Sequence, residues 1–74
     1  MEMSEAEFRR HVASEVRAAM WRKDITAAQL AHLLGIAKST LQERLNGNVS
    51  FTLEQAVALQ SILEVRLENL LPAA

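Results

Sequence analysis

The segment from Thr26 to Gly47, TAAQLAHLLGIAKSTLQERLNG, constrains this chain more than any other stretch. Leu30 and Leu34 lie one helical turn apart, so they share a helix face, and Ala31 sits beside them. Two helices that cross steeply need a small side chain near their closest approach, and Ala31 meets that need. Thr26 is suited to an N-cap, because its hydroxyl can accept from a backbone N–H that has no partner inside the helix. Gly35 can adopt the left-handed backbone that stops a helix without Cβ strain. Ile36 is then placed to plug the turn into a core. A second helical pattern follows in KSTLQERL, with Leu41 and Leu45 one turn apart, and Asn46-Gly47 is a stop signal. The segment therefore predicts two short helices, joined by a tight turn, that bury one common face.

That arrangement is a helix-turn-helix, whose second helix in DNA-binding proteins lies in the major groove. The plain alternative is an ordinary antiparallel helix pair in a small bundle. A small alanine, a turn glycine and four apolar positions agree within one window, and the flanking segments fit, which favours the helix-turn-helix.

Ser4 followed by Glu7 is a capping-box signature, and it predicts a first helix over about 4–23 with Phe8, Val12, Val16, Ala19 and Met20 as its buried stripe. Asp24 and Ile25 form the link into helix 2, about 27–34, which is followed by a recognition helix over about 38–45. Thr52 and Gln55 form another capping box for helix 4, about 53–63, with Leu53, Ala56, Leu59 and Leu63 facing the core. A fifth helix is expected over about 66–71, stopped by Pro72. Leu33, Val57 and Ile62 fall off these stripes, and Trp21 is expected to cap the edge of the core. The predicted fold class is all-α: a compact five-helix domain, single over residues 1–74.

Composition agrees. Half of the 74 residues are hydrophobic, and one proline and two glycines leave room only for short connections. No cysteine is present, so disulfides and thiolate metal sites are excluded. His11 and His32 lack further ligands at metal spacing, and no metal or cofactor is expected. No acid–base pair, nucleophile constellation or phosphate loop points to an enzyme. No apolar run reaches the roughly 18 residues of a membrane helix, and no signal peptide is visible, so the chain is expected to be soluble and cytoplasmic.

A formal net charge of −1 is poor for a DNA binder, but the charges are segregated. Arg9, Arg10, Arg17, Arg22, Lys23, Lys38 and Arg44 lie between Arg9 and Asn46, against Glu15, Asp24 and Glu43. The ends are acidic, with Glu2, Glu5 and Glu7 in front and Glu54, Glu64 and Glu68 behind. A basic front and an acidic back still orient a protein on DNA. The acidic MEMSEAE start argues against a basic arm in the minor groove.

Over residues 16–71, carried by AQLAHLLG, STLQERLNG and the FTLEQ helix, the chain resembles the Cro/phage-repressor helix-turn-helix family, also called xenobiotic-response-element-like, and within it small repressors of actinobacteria and their phages. The resemblance implies a lambda-repressor-like fold and a sequence-specific transcriptional regulator that occupies a double-stranded DNA operator. It implies no small-molecule ligand, and a homodimer is implied if the operator is symmetric, with the LENLL segment and Val57/Ile62 as contact candidates. By the same resemblance, Lys38 and Ser39 face bases, Thr40 faces a phosphate, and Gln42 and Glu43 lie one turn further along. Lys38 suits guanine, Gln42 adenine, and Glu43 the cytosine amino group. Glu43 is equally suited to an intrahelical pairing with Lys38 or Arg44. Arg44 is expected to lay its stem on the core edge and its guanidinium on a phosphate. Thr26 would offer its hydroxyl and a helix N-terminus to a phosphate. Asn46 and Asn48 are candidate backbone contacts, with turn chemistry as the simpler role of Asn48.

The chain also departs from the family pattern. Met20 and Leu45 stand where an arginine–glutamate pair is common. Ala37 replaces a capping serine or threonine, and Ala27 a glutamine. Glu64 and Arg66 stand where glycine and serine are frequent, which predicts a more continuous entry into helix 5. Two other roles are compatible with such a domain: an antitoxin that neutralises a toxin and represses its own operon, and a helical adaptor that binds only protein.

Overall fold

A computed structural model describes residues 3–70 of the chain. Four helices of two turns or more carry the fold: α1 (Glu5–Lys23), α2 (Ala27–Leu34), α3 (Lys38–Leu45) and α4 (Leu53–Leu63). The described residues contain no strand. The fifth helix expected over 66–71 is reduced to a single turn, Leu67–Leu70. Glu64 is the reason. It adopts the left-handed conformation (φ 54°, ψ 42°) and ends α4, so the entry to the last turn is broken rather than continuous. Four residues hold too few i→i−4 bonds to repay helix nucleation on their own, and this turn depends on packing against α1 and α4. Leu71 and Pro72 lie outside the described residues.

The helix ends are local chemistry executed as the residues dictate. Ser4/Glu7, Thr26/Gln29 and Thr52/Gln55 each form a reciprocal capping box. Gln29, which sequence reasoning left unassigned, closes the box that Thr26 begins. Ala37 has the extended backbone of an N-cap but no side-chain bond to α3. At the other ends, α1, α2 and α3 stop in the same way. The N–H groups of Asp24 and Ile25 donate to the carbonyls of Trp21 and Met20, those of Gly35 and Ile36 to His32 and Ala31, and those of Gly47 and Asn48 to Arg44 and Glu43. Each is a Schellman motif around one left-handed residue. Two of those residues are glycine, and the third is Asp24 at φ 54°.

α1 is the organising helix, packing on α3, α4 and the last turn, while α2 packs on α3 and α4. Val16, Leu30, Leu41 and Leu59 are the large, fully buried side chains at the centre. Ala19, Met20, Ala31, Leu45, Leu63 and Leu70 surround them. Met20 and Leu45 are both buried, so this part of the core is apolar and holds no ion pair between α1 and α3. Ala13, absent from the expected stripe, is also buried.

Three expectations fail for local reasons. Leu53 occupies the first helical position of α4 and is 75% exposed. Phe51, preceding the cap, packs against the core in its place, flanking the same groove as Ala56, as in a hydrophobic staple. Ile62 is half-buried against the core rather than free. Trp21 does not cap the core edge: it is 87% exposed.

Candidate nucleic-acid interface

Leu41 and Leu45 turn inward, and helical periodicity then decides what α3 presents outward. Lys38, Gln42 and Asn46 form one row at successive turns, and Ser39 and Glu43 form a parallel row. All five are exposed, whereas Thr40 is half-buried at the margin. The side chains of Lys38, Ser39 and Gln42 hold no hydrogen bond or ion pair among the described residues, so their donors and acceptors face solvent uncommitted. The front half of α3 is thus a polar surface with free hydrogen-bonding capacity on a rigid element.

The back half of α3 is tied down. Arg17 of α1 donates to the carbonyl of Leu45, and Arg9 Nε donates to the carbonyl of Gly47 at 3.1 Å. These carbonyls belong to the C-terminal end of α3, where backbone acceptors lack helical partners and the dipole favours a cation. Gly47 makes the close approach feasible. Its φ is +80°, and a Cβ there would meet Arg10 Cγ at 3.0 Å and Arg10 Cα at 3.3 Å. Sequence reasoning counted Arg9 and Arg17 only as charge. The available signal was their spacing on α1 relative to its buried stripe, but only the crossing of α1 over the end of α3 reveals the partner.

Arg44 is a third tie. Its Nε donates to Gln55 Oε1 at 3.0 Å and one terminal nitrogen to the Thr40 carbonyl at 3.2 Å. The same Gln55 oxygen accepts the Thr52 N–H that completes the α4 cap. The guanidinium is therefore turned back to join α3 to the start of α4, and a phosphate contact by Arg44 has to use the N–H groups that remain.

Glu43 pairs with neither Lys38 nor Arg44. Its Oε2 accepts from Asn48 Nδ2 at 3.1 Å, which fixes the turn after α3 and gives Asn48 its turn role. At the front of α2, the Thr26 hydroxyl accepts from the Gln29 N–H, and its own O–H is left to donate outward. Ala27 is half-buried against the core and contributes nothing polar.

Among the described residues, no helix is long and apolar enough to cross a membrane, and no three acidic or histidine side chains gather where they could hold a metal ion. In comparison with known proteins, a family model described as helix-turn-helix matches residues 16–70. Comparisons with curated proteins and with solved structures return no match.

Proposed function

Since the chain belongs to the Cro/C1-type helix-turn-helix family, a DNA-binding regulatory rather than enzymatic family, we propose that it is a sequence-specific repressor of phage type that acts by occupying an operator. The observation that carries this reading is the outward face of α3. Lys38, Ser39 and Gln42 keep free donors and acceptors on a helix whose other end is clamped by three arginines. A helix held in this way enters the major groove with its N-terminal residues on base edges. Lys38 offers a cation to guanine O6 and N7, and Gln42 a bidentate amide to adenine. Thr26 at the start of α2 and Asn46 at the end of the row supply phosphate contacts that set register without reading sequence. Glu43, held by Asn48, has one carboxylate oxygen left for a cytosine amino group.

Few side chains are free to neutralise phosphates, so the proposed binding depends on base contacts more than on bulk charge. Selection of bound sites from random duplex DNA, followed by titration of the winning site against salt, tests the proposal. An enriched site and a shallow salt dependence, with a log–log slope of roughly −2 to −4, are expected. Lys38→Glu should abolish binding to that site while the helical content stays as it was. No enriched site, or unchanged binding by the Lys38 variant, would sink the reading. A palindromic winner would require two copies about one helical turn of DNA apart. The exposed Val49, Leu53 and Val57 offer the apolar surface for such pairing.

A further inference from the structure

Trp21 is the single tryptophan of the chain and the most exposed large apolar side chain among the described residues. An indole left in water at the end of a well-packed helix forgoes the burial that aromatic residues ordinarily gain, and its N–H has no hydrogen-bond partner among the described residues. Its position is informative. Trp21 lines a concavity shared with Arg17, Thr26 and Leu45, between the end of α1, the start of α2 and the end of α3. Thr26 is one of the residues assigned above to a phosphate. Arg17 lies one turn before Trp21 on α1, and Arg22 and Lys23 follow it. Of the acids nearby, Glu64 is paired with Lys23, and Asp24 lies on the rim of the same concavity. The surroundings of the indole are on balance cationic.

We propose that Trp21 is a DNA-backbone contact, which packs its ring on a deoxyribose and donates its indole N–H to the phosphate next to the one held by Thr26. The inference rests on the proposed DNA-binding reading. The chemistry fits a polyanion: the indole N–H is a donor with no acceptor capacity, and the ring covers the apolar face of a sugar. A backbone contact of this kind carries no sequence information, so it strengthens binding to any duplex.

Trp21 also supplies its own probe, since the chain has no other tryptophan and no tyrosine. The experiment follows acrylamide quenching of tryptophan emission as the selected duplex is added, while anisotropy of a labelled copy of that duplex reports binding independently. The expected result is saturable protection of Trp21 that tracks the anisotropy. Trp21→Ala should weaken the selected and an unrelated duplex alike, by roughly tenfold, with melting temperature and salt slope unchanged. Trp21→Phe, which keeps a ring but loses the donor, should fall between. If the duplex binds and Trp21 stays as quenchable as in the free protein, the inference is overturned while DNA binding stands. Failure of any duplex to bind would remove both. Protection by another macromolecule but not by bound duplex would identify the indole as a protein contact and overturn the proposal.

Discussion

Replacing Gly47 with alanine imposes two separate costs, and Gly35 supplies the control that separates them. Both glycines are left-handed, at φ +80° and +70°. An L-residue in that region costs about 1–2 kcal/mol, of which about 0.4–1 kcal/mol is returned because alanine restricts the unfolded chain more than glycine does. A Cβ at Gly35 meets nothing within 4 Å, so Gly35→Ala should lose only this difference, about 1 kcal/mol. A Cβ at Gly47 meets Arg10 Cγ at 3.0 Å and Arg10 Cα at 3.3 Å. The side-chain carbon can swing away because Arg10 is exposed, but the Cα belongs to α1 and moves only if the helix moves. Overpacking of that kind adds about 1–2 kcal/mol and brings Gly47→Ala to about 2–3 kcal/mol. For a domain of this size, each kcal/mol lowers the melting temperature by about 4–8 °C. Gly35→Ala should therefore melt about 4–8 °C below the parent and Gly47→Ala about 10–20 °C below it. Urea unfolding followed by circular dichroism at 222 nm gives the free energies directly, with an unchanged m-value showing that the same surface is exposed. Equal losses at the two sites, or a larger loss at Gly35, would refute the claim that α1 sits against Gly47.

Other perturbations follow from the same contacts. Ala37→Ser places a hydroxyl where α3 lacks a cap and should add about 0.5–1 kcal/mol in the same urea assay; a neutral result would mean that the Ala37 backbone does not present the cap geometry. Glu64→Gly should stabilise by about 0.5–1 kcal/mol, because relief of the left-handed strain exceeds glycine's entropy cost and the exposed pairing with Lys23 is worth little. A loss of stability at Glu64 would show instead that the ion pair dominates. Arg17→Met keeps an apolar stem but frees the Leu45 carbonyl, for an expected loss of about 1–2 kcal/mol that Arg17→Lys recovers only in part, since a compact ammonium lacks the guanidinium fork. Full recovery by lysine would reduce the interaction to simple charge at the end of α3.

Much of the fold was legible in the sequence because local rules fix it. Ser4, Thr26 and Thr52 start helices through their own hydroxyls, Gly35 and Gly47 end them through conformations that other residues resist, and the leucines of Thr26–Gly47 repeat at the helical period. None of these depends on a distant partner. The outward face of α3 was legible for the same reason, because inward-turned Leu41 and Leu45 leave Lys38, Ser39, Gln42 and Glu43 no other direction.

What only the tertiary structure decided concerns long side chains and helix ends that meet across the fold. A guanidinium reaches several ångströms in many directions, so the sequence determined that Arg9, Arg17 and Arg44 are charged but not that all three fasten α3. Glu43 likewise chose Asn48 in the following turn over cations on its own helix. Leu53 satisfies apolar spacing yet remains in solvent, because Phe51 packs into the core beside the start of α4, and Trp21 remains there because its neighbour Met20 takes the buried position at the end of α1. Glu64 broke the chain before the last turn, where helical propensity alone would have carried it through. Periodicity states which face a residue shares; the packing of other helices decides whether anything covers that face.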